Sequence, residues 1–167
     1  MKPSASYWIE KLSLSKHPEG GAYKEVYRSS LTIQTENLFS KERHERNVCT
    51  GIYFLLQENE FSSFHRLASD EQWHFYFGNS MVVFEIEALT GELIEHKLGN
   101  DHDNGSVFQT TVKAGNWFAA KVEGAGYALV GCTVAPGFDF ADFELAERKK
   151  LIKAYPQHKA LIDGLIK

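Results

Sequence analysis

The sequence predicts an all-β fold, a barrel or a sandwich, from its short alternating segments, its glycine-rich turns and its aromatic content. Residues 81–89 alternate cleanly, with Val82 and Phe84 on one face and Glu85 on the other. Between residues 48 and 134 such segments are separated by glycine-containing turns, and no helical pattern lies between them. Aromatic residues make up 13% of the chain, and flat rings pack well on pleated surfaces.

The same alternation predicts the individual strands and loops. Strands are predicted at residues 22–35, 48–56, 81–89, 92–98, 107–113, 117–122 and 126–134, with a further hairpin that turns at residues 68–70. Residues 36–47 are polar and charged, and we expect a surface loop there. No internal repeat is present. We therefore expect a single domain over residues 1–167, with the barrel core at about residues 22–135.

Helices are predicted at the two ends of the chain. Residues 4–12 form a short amphipathic segment whose serines can accept the free N–H groups of a first helical turn. After Pro136 the strand pattern ends, and we expect helices over about residues 139–167, the first of which carries Phe143. The capping candidates are Ser4 or Ser6 for the first helix and Asp139 or Asp142 for the second.

Charge and composition exclude some partners. The chain has 18 basic and 22 acidic residues and a formal net charge of −4, so nothing attracts a phosphate backbone and we expect no nucleic-acid partner. Cys49 and Cys132 lie in apolar runs, where a buried thiol is expected. No signal-like segment or bilayer-length apolar run is present, so we expect a cytoplasmic protein with no membrane partner.

The densest set of reactive side chains lies between Ser62 and Gly78. A turn at residues 68–70 would bring His65 close to Glu71 across the hairpin. Such a pair can hold His65 as a general base, oriented by the carboxylate. It can equally bind one divalent metal ion together with His74, although strict alternation from Glu71 places His74 on the opposite face.

Other side chains near this segment are candidates for shaping a ligand pocket. These are Tyr23, Glu25, Tyr53, Trp73 and His74. Trp73 has the same parity as Glu71, so its ring belongs either to the pocket wall or to the core. The turn at residues 17–21 most simply positions the next strand, and a role for Glu19 in the site is the alternative. Arg28 and Arg66 are predicted as surface charges or as partners of Glu25 and Asp70.

The reactive segment resembles the first cupin motif, G-x5-H-x-H-x3–4-E-x6-G. His65, Glu71 and Gly78 match its first His, its Glu and its closing Gly, whereas Leu67 stands where the second metal-binding His belongs. The second cupin motif resembles residues 113–118, with Phe118 in place of the last His ligand. By this resemblance, two of the family's four metal ligands are missing.

Over nearly its whole length the chain is similar to the cupin-5 family. The segments that carry this resemblance are residues 17–21, residues 69–75 and residues 132–140. The resemblance implies an RmlC-like cupin jelly-roll β-barrel with a short N-terminal helix and C-terminal helices. It also implies a homodimer, formed through the strand from Tyr23 to Ser30.

A more distant resemblance reaches the dTDP-sugar 3,5-epimerases. Gly21, Tyr23 and Glu25 match part of their G-x-F-x-E strand, and His65 stands at the position of their catalytic base. Two arginines of those enzymes are replaced, by Gly20 and Ser62. Since those arginines would pair with an anionic nucleotide-sugar, a substrate of that kind is disfavoured.

These observations predict a small-molecule-binding cupin, with His65 as base and Glu71 as its partner. A carbohydrate- or nucleotide-related isomerase or epimerase without a cofactor is the first hypothesis. The alternatives are a mononuclear metal enzyme, with His65, Glu71 and His74 as ligands, and a non-catalytic binding or storage protein. The sequence does not determine the ligand, which tyrosine, if any, acts as a general acid, or the role of residues 36–47.

Overall fold

Two antiparallel sheets face each other and enclose most of the core in the computed structural model, which describes residues 3–167. The first sheet has the strand order β1-β2-β5-β12-β7-β10, and the second has the order β13-β6-β11-β8-β9. The strands of the first sheet are β1 (Ser15–Lys16), β2 (Ala22–Arg28), β5 (Thr50–Gln57), β7 (Asp70–Gly78), β10 (Gln109–Val112) and β12 (Tyr127–Ala135). Those of the second are β6 (Phe61–Leu67), β8 (Met81–Ile86), β9 (Leu93–Leu98), β11 (Trp117–Val122) and β13 (Phe143–Leu145).

This arrangement confirms the predicted all-β fold. The interior is filled by alternate residues of both sheets, including Phe54, Trp73, Val83 and Phe118. On β8, Val83 faces this interior, whereas Val82, Phe84 and Ile86 pack against the C-terminal helices. Those helices are α2 (Arg148–Ala154) and α3 (Lys159–Gly164), joined by a 3₁₀ turn at Pro156–His158. Among residues 3–167, no helix is long and apolar enough to cross a membrane.

The N-terminal helix lies on the outer face of the first sheet. It is α1 (Ala5–Lys11), and the Ser4 side chain accepts a hydrogen bond from the Tyr7 backbone N–H. This confirms the predicted helix and one of its two capping candidates. The Trp8 indole donates to the Tyr127 hydroxyl at 2.9 Å, which ties the helix to β12.

The segment predicted as a loop at residues 36–47 is instead half of a β-hairpin. Strands β3 (Thr32–Glu36) and β4 (Arg43–Asn47) pair with each other and with no strand of the two main sheets. The loop prediction was wrong because residues 43–47 are all polar, so β4 lacks the apolar alternation from which strands are recognised. Strand β3 begins within the segment 22–35, which was predicted as one strand and which the structure divides into β2 and β3. A buried ion pair between Arg46 and Asp142 attaches the hairpin to the barrel.

The segment after β12 also differs from the prediction. Asp139 caps a 3₁₀ turn (Phe140–Asp142), and the chain then continues as strand β13, so Phe143 begins a strand rather than lying in a helix. Strand β13 pairs with β6, where Leu145 lies opposite His65. The helix begins only at Arg148. This pairing brings the segment from residue 138 to residue 143 over one end of the barrel.

Candidate functional site

One end of the barrel interior holds a cavity of about 310 Å³. Its walls come from both sheets, from the turn before β2 and from the segment that follows β12. The lining residues are His17, Glu19, Tyr23, Glu25, Arg28, Thr50, Ile52, Phe54, His65, Leu67, Glu71, Cys132, Val134, Phe138, Asp139, Phe140 and Phe143. On β5, β6 and β12 these residues are two apart, as expected for one face of a strand.

The turn at residues 17–21 delivers Glu19 to the cavity. The Ser63 N–H donates to the Glu19 carbonyl at 2.9 Å, and the Gly20 N–H donates to the His17 carbonyl at 3.1 Å. Gly20 has a φ of +125°, and a Cβ there would lie 2.1 Å from the Phe61 carbonyl oxygen. Glycine is required at this position by both the conformation and the close approach to β6, and the approach places Glu19 beside His65.

His65 is buried, and both of its ring nitrogens are engaged. Nδ1 lies 2.8 Å from the Ser63 carbonyl oxygen, and Nε2 lies 3.1 Å from Glu19 Oε2. A carbonyl oxygen can only accept, so Nδ1 carries a proton. Burial lowers the pKa of His65 to about 4, which leaves Nε2 as an acceptor at neutral pH. The proton between Nε2 and Oε2 is therefore donated by the Glu19 carboxyl group.

The surroundings of Glu19 agree with a protonated carboxyl group. Burial raises the pKa of Glu19, although the charge on His17 and a hydrogen bond from Ser62 act in the opposite direction. The Ser62 hydroxyl donates to Glu19 Oε1 at 2.9 Å. His17 Nδ1 accepts from the Glu19 backbone N–H at 3.4 Å, and burial lowers the pKa of His17. Glu19 and His65 thus form a buried hydrogen-bonded pair with one proton between Glu19 Oε2 and His65 Nε2.

Glu71 is a second buried carboxyl group on the cavity wall. Burial raises the pKa of Glu71 to about 8, and the neighbouring Glu19 carboxyl group acts in the same direction. The Trp73 indole N–H donates to Glu71 Oε2 at 3.2 Å. Cys132 also lines the cavity, and burial followed by the charge on Glu71 raises the pKa of its thiol. The Glu71 carboxyl group is therefore largely protonated at pH 7, and burial favours the uncharged forms of Glu19 and Cys132.

Comparison with known proteins places the chain in a family. The family model described as "Cupin superfamily (DUF985)" matches residues 6–146. The chain belongs to this family. It is 31% identical over 144 residues to the uncharacterised protein YML079W of Saccharomyces cerevisiae. The aligned region covers 80% of this chain and 71% of YML079W.

Two solved structures match the chain over almost its whole length. Protein SO0799 of Shewanella oneidensis has a TM-score of 0.88 at 39% identity, and covers 99% of each chain. A hypothetical protein from Leishmania major has a TM-score of 0.89 at 34% identity, and covers 98% of this chain and 99% of that one. These likenesses agree with the cupin jelly-roll barrel that the sequence resemblance implied.

The residues of this cupin do not fit the metal centre that the cupin motifs describe. Leu67 and Phe118 occupy two of the four ligand positions, and the Phe118 ring centroid lies 4.0 Å from that of His65. Both His65 nitrogens already have partners. His74 Nε2 contacts Thr133 Oγ1 at 3.1 Å and does not line the cavity. Within residues 3–167, no group of three His, Cys, Asp or Glu side chains has metal-binding geometry.

The predicted site residues divide into two groups in the structure. His65, Glu71, Tyr23 and Glu25 line the cavity, whereas Tyr53, Trp73 and His74 do not. Tyr53 packs with Tyr76 on the other side of the first sheet, with ring centroids 6.0 Å apart. Trp73 lies on the same face as Glu71, as its parity predicted, but it is 1% exposed and belongs to the core.

The partner of His65 is a further correction. The predicted partner was Glu71, but the carboxyl group that contacts the imidazole is Glu19. The sequence pattern offers Glu19 as an alternative only, because the contact joins a turn to a strand more than forty residues away. Arg28 pairs with Glu25 as predicted, whereas Arg66 pairs with Glu144 rather than with Asp70. Asp70 instead binds the Ala114 N–H and Lys113.

Proposed function

We propose that this cupin binds a small organic molecule in the barrel cavity and moves a proton on it, in an isomerisation or epimerisation next to a carbonyl group. The observation that carries the proposal is a pair of buried acidic groups with different partners in one cavity. Glu71 has a pKa of about 8, close to the value that suits a general base near neutral pH. Glu19 carries a proton that His65 can accept.

In this mechanism the two groups have complementary roles. The ionised fraction of Glu71 removes a proton from a carbon atom next to the carbonyl, and the electron pair moves to the carbonyl oxygen. The Glu19–His65 pair donates its proton to the oxygen of the resulting enolate, which gives an enediol. The pair then takes the proton of the other enediol hydroxyl group, the carbonyl forms there, and Glu71 returns its proton to the former carbonyl carbon, which completes the isomerisation. His65, the base predicted from the sequence, has no nitrogen free for the ligand, so it is a positioning residue that stabilises the Glu19 proton.

Carbon-bound hydrogen exchange tests this proposal. Wild-type protein in D₂O is expected to catalyse deuterium incorporation next to the carbonyl of at least one sugar in a panel of neutral and amino sugars, followed by NMR. Glu71→Gln is expected to lose this activity by about 10²–10⁴-fold, the usual contribution of a general base. A rate that rises with pH towards 8 is expected, because ionisation of Glu71 creates the base.

The matched control is Glu95→Gln, the same chemical change at an exposed position of β9, which is expected to exchange at the wild-type rate. Exchange that survives in Glu71→Gln would contradict the assigned base. Ligand binding without exchange on any sugar would favour the alternative, a non-catalytic binding protein.

We further propose that the protein forms a homodimer through the outer edge of β2. Strand β1 pairs only with Ala22 and Tyr23, so within residues 3–167 the rest of this edge has no neighbouring strand. Val26 is 52% and Tyr27 is 54% exposed beside it. An unpaired edge flanked by exposed apolar side chains is suited to pairing with a second copy.

Light scattering after size exclusion measures this directly. The wild type is expected at twice the chain mass of 18.9 kDa, and the double variant Val26→Lys, Tyr27→Lys at the chain mass. Leu89→Lys changes an equally apolar side chain, 96% exposed, on a distant turn, and should remain dimeric. A wild-type monomer at micromolar concentration would overturn the proposal.

A further inference from the structure

More acidic than basic side chains line the cavity. Among residues 3–167, four acidic residues line it, namely Glu19, Glu25, Glu71 and Asp139, and the only lysine or arginine that does so is Arg28. Two histidines also line the cavity, but burial lowers the pKa of both. Lys167, whose charge acts on His17 and Glu19, is not a lining residue. The cavity thus offers an excess of groups that can become negative.

Arg28 has no N–H group left for a ligand. Nε and Nη2 donate to the two carboxylate oxygens of Glu25 at 2.9 and 2.6 Å. Nη1 donates to Asn47 Oδ1 at 2.8 Å, and both terminal nitrogens donate to the Phe138 carbonyl at 3.2 Å. These contacts occupy all five guanidinium donors. An anionic ligand would therefore find no free lysine or arginine among the described residues of the wall.

The apolar part of the wall is mostly aromatic. The rings that line the cavity are those of Tyr23, Phe54, Phe138, Phe140 and Phe143. The three phenylalanines after β12 contact one another, with centroids 5.1 to 6.1 Å apart. Aromatic faces attract cations, and aromatic cages are the usual recognition sites for quaternary ammonium groups.

We propose that the cavity accepts small organic cations with apolar substituents, with the positive charge against the Glu71 carboxylate and the substituents against the aromatic rings. The inference rests on the proposed function, since it names the substrate class of the same site. Ion pairing with such a substrate favours the ionised form of Glu71, so the cation would itself generate the base that the proposed reaction requires.

Binding of a permanent cation should therefore release a proton and strengthen with pH. Because burial raises the pKa of Glu71 to about 8, the affinity is expected to rise on the order of 50- to 100-fold between pH 6 and pH 9. The titratable or charged groups around Glu71 that could modify this profile are His17, Glu19, Tyr23, Glu25, Arg28, His65, Cys132, Asp139 and Lys167.

Three probe molecules of nearly the same shape but different charge distinguish the effect of charge on binding from the effect of size. Calorimetric titrations would use choline, its neutral isostere 3,3-dimethylbutan-1-ol and the anion 3,3-dimethylbutanoate. Choline is expected to bind the wild type at least about tenfold more tightly than the alcohol at pH 9, and the anion to bind least. Glu71→Gln should lose this preference, whereas Glu95→Gln, on the exposed face of β9, should keep it.

Equal or tighter binding of the alcohol would overturn the inference and leave a neutral-ligand cavity. Binding of none of the three probes would overturn it as well. The proposed function is judged separately by deuterium exchange. Exchange confined to neutral sugars would support the acid–base chemistry while contradicting the cationic substrate, and choline binding without exchange would do the reverse.

Discussion

Glu71→Gln is expected to stabilise the protein at pH 8 and above, and to change its stability little near pH 4. Burial raises the pKa of Glu71 to about 8 in the folded protein, against an ordinary value of 4.5. Between these two values the unfolded chain releases the proton while the folded protein keeps it. The wild type therefore loses stability as pH rises from 4.5 to 8. Glutamine keeps a similar shape and carries no titratable proton.

The difference in unfolding free energy between wild type and Glu71→Gln reports on Glu71 alone. The pH dependence of either protein by itself also includes His65. Because burial lowers the pKa of His65 to about 4, the protein loses stability through His65 as pH falls from 6.5 towards 4. Thermal unfolding should be measured from pH 4 to pH 9. The free energy of unfolding of Glu71→Gln should exceed that of the wild type by an amount that grows between pH 4.5 and pH 8 and reaches a few kcal/mol. Parallel curves for wild type and Glu71→Gln would show that Glu71 is ionised in the folded protein.

Asp142→Ala is expected to destabilise the protein by about 3–5 kcal/mol, the usual cost of leaving one member of a buried ion pair without its partner. The Asp142 carboxylate accepts from Arg46 Nε at 2.6 Å and from Nη2 at 2.9 Å, and both side chains are 9% exposed. Asn37, 4% exposed, also donates to Asp142. The substitution leaves the Arg46 guanidinium without its carboxylate partner and removes the hydrogen-bond acceptor of the Asn37 side chain.

A pair two residues away supplies the control. Glu144 accepts two hydrogen bonds from Arg66, but its side chain is 47% exposed, so Glu144→Ala should cost about 1 kcal/mol or less. Urea unfolding of both variants measures the contrast. Similar losses would mean that the hairpin of β3 and β4 is not held to the barrel by Asp142.

Because Asp142 follows Phe140 on the cavity wall, Asp142→Ala should also weaken ligand binding.

Local patterns were sufficient to predict β8 and α1. The alternation of Val82, Val83 and Phe84 predicted β8, and the spacing of serines before an amphipathic segment predicted α1. Strand β4 was missed because its five residues are all polar and carry no such signal, whereas β3 begins within the segment 22–35 that was predicted as one strand. Phe143 was placed in a helix because its strand is specified by pairing with β6, a contact far away in the sequence.

The candidate site shows the same division. The sequence by itself determined that this chain has a cupin barrel, that His65 and Glu71 belong to a cluster of reactive groups, and that two cupin metal ligands are replaced by Leu67 and Phe118. Only the tertiary structure decided that Glu19 holds His65, that Trp73 is core and that the segment after β12 supplies an aromatic wall. Alternation determines which face a side chain occupies, whereas its partner depends on which distant segment packs against that face.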